Sequence, residues 1–341
     1  MYAGQLRYIR DLLNAYEQLE VDARFVFIGS TPTPREELRA LFAKSPRRWS
    51  YLPFIRSNRR GSWFFEQFHL RSMLSKVGAD MYHGFHTVAP LLASCPVVCT
   101  VHDLMIDIFP EYRQIARSKT YRLFKFAVRH KSDQAICISQ CTADDLKKLW
   151  KIPESKTSVI LHGSTFSQLD AMEPVPNGPT IGAQTVLSPF NLEPRKNLFS
   201  LIRAFANVAV QVPQAKLVLY GDAATTPERV SAYKSLISEL NLTDRVVRTG
   251  VISDRQLLWL YKNTRLFAFP SLYEGFGYPV LEAMASGACV VARRASAMAE
   301  VVGDAGTLIE TQDEAAMKNA IITLLRDNAL CRNSVRQLFL A

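Results

Sequence analysis

Two glutamates, Glu274 and Glu282, bracket the segment Glu274-Gly275-Phe276-Gly277-Tyr278-Pro279-Val280-Leu281-Glu282. The preceding run, 265–270, is apolar enough to be a strand, the two glycines permit close backbone approach, and Pro279 suits the first turn of a helix. A helix start above a strand end aims unpaired amides and a positive dipole at whatever lies there, so the segment reads as an anion site. Two carboxylates beside it suit sugar hydroxyls, because each accepts hydrogen bonds from a diol. A second cluster, Glu193-Pro194-Arg195-Lys196-Asn197, follows another strand and opens another helix. Arg195 grips two oxygens and Lys196 acts as a point charge, a pairing that neutralises a diphosphate. Cations at a helix start are disfavoured unless an anion accompanies them, which favours this reading over solvated charge.

These side chains need a scaffold that brings strand ends together. In the second half, strands at 185–188, 216–221, 246–250, 265–270, 288–293 and 307–310 alternate with helices at 196–211, 227–240, 254–263, 279–286, near Met298, and at 313–327. That alternation predicts a doubly wound, Rossmann-like parallel sheet covered by helices on both faces. The first half alternates less cleanly, with strands at 24–28, 79–83, 97–101, 134–138 and 158–161 and helices at 35–43, 64–77, 112–131 and 142–150. It opens on a helix, 4–19, with apolar Leu6, Ile9, Leu12, Leu13 and Tyr16, whereas a doubly wound sheet normally opens with a strand. Either the start is shortened or this sheet lacks a strand. The Pro-rich stretch 172–179 reads as a linker. Two α/β units facing across a cleft would hold a ligand at the carboxyl ends of their strands.

The E-x7-E spacing of Glu274 and Glu282, in the context Glu-Gly-Phe-Gly-Tyr-Pro-Val-Leu-Glu-Ala-Met-Ala-Ser-Gly, resembles glycosyltransferase family 4, its mannosyltransferase-like members in particular. The stretch 192–198 resembles that family's diphosphate-binding segment, 100–104 (Thr-Val-His-Asp-Leu) its histidine motif, and 4–13 the helix after its N-terminal glycine loop. The resemblance implies the GT-B architecture, with residues 1–168 as an acceptor-side domain lacking its first strand and 169–341 as a nucleotide-sugar domain lacking its final crossover helix. It also implies roles. Glu274 binds the donor sugar, Arg195 and Lys196 hold the diphosphate, and His102 lines the site near the sugar's C6 hydroxyl; these four form the candidate catalytic set. Gly275, Phe276 and Gly277 lie against sugar and phosphate, Glu282 binds the ribose, and Gly4, Gly221 and Val251 complete the donor-binding set.

The expected reaction is transfer of a sugar with retention, mannose from GDP-mannose in the first instance and a UDP-sugar otherwise, to a glycan or lipid-linked acceptor in cell-surface polysaccharide or glycolipid synthesis. In the family's mechanism the leaving phosphate takes the acceptor's proton, so no metal or other cofactor is expected. Hydrolysis fits less well: a retaining glycosidase needs two carboxyls about 5 Å apart flanking the bond, yet both glutamates sit beside phosphate-binding features. The alternatives are a truncated or catalytically crippled GT-B paralogue that binds nucleotide or membrane only, and a sugar-nucleotide epimerase.

Composition narrows the partners. The 341 residues carry 41 Lys and Arg against 31 Asp and Glu, a net +10, with 48% hydrophobic residues, which excludes a disordered chain. Residues 1–168 hold 24 basic and 15 acidic side chains (+9), leaving 17 and 16 (+1) for 169–341. The longest apolar stretch, 88–101, is interrupted by prolines and too short to cross a bilayer. No signal core opens the chain, and its 6 cysteines are too sparse for a disulfide scaffold, so a cytoplasmic location is expected, peripheral on the inner face of the membrane if lipid is engaged. His83, His86 and His102 are spaced too loosely for a metal site, His162 reads as a hinge residue, and Asp103 as a loop cap.

The positive charge of the first half has two concentrations. One runs from Lys44 through Arg47, Arg48 and Trp49 to Arg56, Arg59 and Arg60, followed by Trp63, Phe64 and Phe65. The other is helix 112–131, where Lys119, Arg122, Lys125 and Arg129 share one face and Tyr121, Phe124 and Val128 another. A solvated outer face and an anionic membrane surface both suit this pattern. Single-stranded nucleic acid is the weaker alternative, since no nucleic-acid-binding motif accompanies the charge.

Overall fold

The computed structural model describes residues 3–19, 22–29, 31–34, 36–54, 62–87, 89–164, 166, 169, 172–176, 178–222, 226–310 and 313–327. It divides into two compact units, Met1–Gly163 and Ser164–Ala341.

The first unit opens with α1 (Ala3–Gln18), β1 (Phe25–Gly29), α2 (Glu36–Lys44), β2 (Trp49–Pro53), α3 (Ser62–Val77), β3 (Tyr82–Gly84) and β4 (Val97–Val101). It continues through α4 (Met105–Ile108), α5 (Arg113–Arg117), α6 (Lys119–Lys131), β5 (Gln134–Cys137), α7 (Gln140–Asp145) and β6 (Thr157–Val159). Its strands are parallel but fall into two sheets, β1-β2 and β3-β4-β5-β6. Among the described residues, the second edges of β1 and β3 have no strand partner. Side chains span the two sheets: Phe27 of β1 stacks on Phe85, just past β3, with ring centroids 6.0 Å apart.

Three sequence expectations change here. Strand β2 lies where the sequence suggested only a basic and aromatic concentration: Trp49 is buried, stacks on Phe25 at 4.4 Å and donates its indole N–H to Glu17 at 2.7 Å. Its indole serves the core and is not available to a surface ligand. Arg56, Arg59 and Arg60, and the side chains of Trp63, Phe64 and Phe65, lie outside the described residues. Helix 112–131 is broken: Ser118 is extended (φ −63°, ψ 144°) and its hydroxyl caps α6 by accepting from Tyr121 N at 3.2 Å. Helix 142–150 becomes α7 followed by a π-turn, Leu146–Trp150, closed by Lys151 in the left-handed region.

The second unit runs β7 (Thr185–Pro189), α8 (Leu198–Gln211), β8 (Lys216–Tyr220), α9 (Pro227–Glu239), β9 (Val246–Gly250), α10 (Asp254–Asn263), β10 (Leu266–Phe269), α11 (Tyr278–Ala285), β11 (Cys289–Arg293), α12 (Met298–Val302), β12 (Thr307–Ile309) and α13 (Glu314–Arg326). One parallel sheet of order β12-β11-β10-β7-β8-β9 forms, as the alternation predicts. Strands β10 and β11 are buried throughout, which explains their continuous apolar runs. Two cores flank the sheet: Leu201, Phe205 and Ile321 pack on one face, Tyr261, Phe267 and Met298 on the other. The stretch read as a linker is partly anchored, since Val175 packs on the second of these cores. No described helix is long and apolar enough to cross a membrane.

Candidate functional site

In the second unit the strand order reverses between β7 and β10: β8 and β9 follow on one side of β7, β11 and β12 on the other side of β10. Such a reversal leaves a crevice at the carboxyl ends of the two central strands. The loops after β7 and β10 are the two segments singled out from sequence.

After β7 the backbone forms a 3₁₀ turn, Pro194–Lys196, and Asn197 then takes a left-handed conformation (φ 55°) before α8 begins at Leu198. The helix was expected to begin at Lys196; instead, the turn points Arg195 and Lys196 across to the neighbouring loop. Leu272 N donates to the Arg195 carbonyl at 2.7 Å, stitching the two loops together. Lys196 Nζ lies 2.6 Å from Glu274 Oε1, and Arg195 Nη1 3.6 Å from Glu274 Oε2. Ser271 donates its hydroxyl to the same Oε1 at 2.6 Å. Arg195 Nε in turn lies 2.9 Å from Glu193 Oε2.

The four charges therefore form one cluster, with Glu193 and Glu274 opposite Arg195 and Lys196, and their formal charges cancel. The anion that accompanies the two cations at the helix start is the protein's own carboxylate pair. Burial pushes the Glu274 carboxyl up, but the Lys196 charge, then Arg195, with hydrogen bonds from Lys196 and Ser271, outweigh it and hold the group below the ordinary carboxylate range. Lys196 and Ser271 both grip Oε1, leaving Oε2 beside Arg195 as the oxygen better placed to accept from a ligand hydroxyl.

Glu274 is also fixed through its backbone, donating its N–H to Ser296 Oγ at 2.7 Å. Ser296, itself left-handed (φ 51°), was not legible as a site residue; it comes from the loop after β11 with no motif around it. Ser271 had a signal, since it stands three residues before Glu274, between the apolar run 265–270 and the glycines. Gly275, Phe276 and Gly277 are buried, and Gly277 is left-handed (φ 106°) at the head of α11, where it offers no side chain to cap the helix. A Cβ at Gly277 would run into the Met298 methyl group. Glu282 lies in α11 at 1% exposure.

Gly221 and Val251 come together at the ends of neighbouring strands β8 and β9, where Gly221 N donates to Gly250 O at 2.8 Å. Both glycines are left-handed (φ 83° and 70°), and Val251 is 81% exposed. Arg248 braces this end, its guanidinium stacked 3.6 Å over Phe190 and paired with Asp222 at 3.0 Å. The donor-side candidates thus line four adjacent strand ends, β10, β7, β8 and β9.

His102 and Gly4 belong to the first unit. Gly4 is exposed in the first turn of α1 and forms no loop. His102, just past β4, donates Nε2–H to the Phe85 carbonyl at 2.8 Å, since a carbonyl only accepts. Burial holds its pKa below the ordinary histidine value. The ring is therefore neutral at pH 7, with Nδ1 as the acceptor. Tyr8 from α1 packs edge-on against it at 5.2 Å and lies 4.6 Å from His162. The Thr100 hydroxyl joins Tyr8 Oη and His83 Nε2, each at 2.9 Å. Burial lowers His83 to about 4 and, with His102 beside it, His162 to about 3. His162 is thus part of a neutral aromatic cluster and more than a hinge, while Asp103 caps its loop by accepting from Met105 N at 3.1 Å.

Residues 2–164 match the family described as Glycosyltransferase Family 4, and residues 177–337 that described as Glycosyl transferases group 1. The chain is 27% identical over 243 residues, 69% of its length, to the serotype-specific mannosyltransferase WbdA of Escherichia coli, but the match spans only 30% of that protein. It is 28% identical over 274 residues to the O-antigen chain mannosyltransferase B of Escherichia coli, covering 73% of this chain and 66% of that one. In fold it is similar to Anabaena HepE, solved with UDP and glucose, at a TM-score of 0.72 and 21% identity over 98% of this chain and 89% of that one. With its two parallel-sheet units and matches over nearly its whole length, the chain belongs to glycosyltransferase family 4 and has the GT-B fold.

Proposed function

We propose that the chain transfers a hexose from a nucleotide diphosphate sugar to a glycan or lipid-linked glycan, with mannose from GDP-mannose as the donor and retention of the anomeric configuration. The observation that carries this reading is the Glu193–Arg195–Glu274–Lys196 cluster at the strand-order reversal. The mannosyltransferase names of the relatives support the choice of sugar, and the O-antigen chain in the name of the second supports a cell-surface polysaccharide as product.

In this reading the second unit binds the donor. A diphosphate arriving at the cluster competes with Glu193 and Glu274 for Arg195 and Lys196, and the first amides of α11 add their dipole. Glu274 Oε2 accepts from the sugar's hydroxyls, and Glu282 from the ribose. As the glycosidic bond breaks, negative charge develops on the departing phosphate, and the two cations stabilise it in place without reorganising. That phosphate takes the acceptor's proton while the acceptor attacks from the same face, so the chemistry asks for no metal. The first unit serves the acceptor, with His102 Nδ1 accepting from a sugar hydroxyl.

A thermal-shift panel of GDP, UDP, ADP and their sugars tests the donor, because binding stabilises the folded state by mass action. A selective shift with GDP-mannose is expected, and a shift confined to UDP-sugars would replace mannose in the reading. Transfer should be abolished in Arg195→Ala/Lys196→Ala and unaffected by EDTA in the parent protein. Full activity of the double variant would remove the assignment.

A further inference from the structure

The break at Ser118 has a chemical outcome that a straight helix would not produce. An uninterrupted helix would display its cations as a flat stripe. Instead α5 turns away from α6, and Arg117 joins Arg122, Lys125 and Arg129 around an open pocket of about 560 Å³, with Phe126 and His130 completing the wall. Asp107 of α4 also lines this pocket. Its carboxylate is already committed, accepting from Tyr121 Oη and Trp150 Nε1, each at 2.6 Å, and pairing with Lys125 Nζ at 3.2 Å.

The charge in the pocket is consequently uneven. Asp107 compensates Lys125, while Arg117, Arg122 and Arg129 meet no carboxylate among the described residues. Three guanidiniums around one concavity repel one another, and nothing in the packing of α5 or α6 requires them, since all three are exposed. Guanidiniums grip phosphate oxygens in pairs. Apolar side chains stand on the same elements: Phe126 is 49% exposed, Ile115 on α5 49% and Ile108 on α4 37%. Phosphate-gripping cations in a hollow beside exposed apolar side chains complement a lipid, whose headgroup is anionic and whose chains begin a few ångströms deeper. Single-stranded nucleic acid fits less well, because it needs a groove with several separate aromatic platforms, and the exposed rings of α6, Phe126 and His130, pack against each other with centroids 4.5 Å apart.

We infer that the α5–α6 pocket is a docking site for the phosphate headgroups of an anionic membrane, with Arg117, Arg122 and Arg129 holding the headgroup and Phe126 entering the interface. The inference is independent of which sugar is transferred. Flotation with vesicles of phosphatidylcholine containing about 30% phosphatidylglycerol tests it. Binding is expected at low salt, weak binding to phosphatidylcholine alone, and a loss of about tenfold or more in Arg122→Glu/Arg129→Glu. Phe126→Ser should weaken binding while leaving its salt dependence, and Lys234→Glu/Lys262→Glu, an equal charge change on exposed residues of the second unit, should bind like the parent. Equal loss in both double variants would reduce the effect to net charge and overturn the site. So would unchanged binding in Arg122→Glu/Arg129→Glu, or retention of a single-stranded oligonucleotide by the parent but not by that variant. Transfer to a water-soluble acceptor, measured alongside, separates loss of docking from loss of catalysis.

Discussion

Replacing Lys196 by Met keeps the length of the side chain and removes the charge that approaches Glu274 most closely. Glu274 then remains in the cluster with only 12% of its side chain exposed, held by Ser271 and by Arg195 at 3.6 Å. Removing one partner of a fully buried pair costs about 3–5 kcal/mol. Lys196 retains 22% exposure and Arg195 stays behind, so about 2–3 kcal/mol is the reasoned cost here. For a unit of this size that lowers Tm by roughly 5–10 °C at pH 7.5.

The pH dependence is the sharper test. In the parent, burial raises the Glu274 pKa but the cations and hydrogen bonds bring it below its ordinary 4.5, so its contribution is present above that value and is lost as pH falls through the folded pKa. In Lys196→Met burial has less opposition and the pKa rises; the variant's folded state then binds a proton at a higher pH than the unfolded chain does, and protonation relieves the uncompensated carboxylate. The Tm gap between parent and variant should therefore narrow from pH 7.5 to 5.0, measured by differential scanning fluorimetry at each pH so that contributions common to both proteins cancel. Lys147→Met, which removes an exposed pair with Glu154, is the control and should show almost no gap. A gap of the same size at both pH values would refute the ionic account of this cluster.

Gly277→Ala should destabilise by more than about 1–2 kcal/mol and abolish transfer, because strain at φ 106° adds to a collision with Met298, whereas Gly287→Ala (φ 85°, no neighbour within 4 Å) should show the conformational part alone. Ser253→Ala, which removes the capping box of α10, should cost about 1 kcal/mol in chemical denaturation with donor binding unchanged. His83 and His162, lowered by burial to about 4 and about 3, take up protons on unfolding, so the first unit should lose about 1 kcal/mol per histidine between pH 6.5 and 5.5, and His83→Gln should remove its share of that slope. Neutral His102 should add no inflection to the pH–rate profile above pH 6.5, whereas His102→Ala should slow transfer at every pH.

The sheet of the second unit was readable because strands such as Leu266–Phe269 and Cys289–Arg293 are almost wholly apolar and helices such as α9 and α10 carry start signals, Pro227 and Ser253. Where the reading erred, the cause was a residue with two uses. Ser118 has no Gly or Pro beside it, so a helix break looked like a helix interior. The segment 193–197 was read as the opening of helix 196–211, but Pro194 starts a 3₁₀ turn and the left-handed Asn197 delays α8 to Leu198. Trp49 followed two arginines and was read with them, although its ring belongs to the core. The site was legible as far as charge and glycine go. The direct pairing of Glu274 with Lys196 was not, because 78 positions separate them and only the strand order places β7 beside β10.

The split sheet of the first unit bears on how that unit opens. Among the described residues, strands β1 and β2 share a backbone ladder with each other and none with β3, so their separation from the larger sheet breaks ring stacks such as Phe27 on Phe85 and no inter-strand hydrogen bond found there. Such a segment can unfold as a unit of its own at a free energy below that of global unfolding. Amides of β1 and β2 should then exchange with deuterium together and sooner than those of β4 and β5. Helix α1, which holds Tyr8 against His102 and Thr100, packs on α2 and is shared by both parts. Each such opening loosens the wall of the histidine cluster while the four-stranded sheet stays closed.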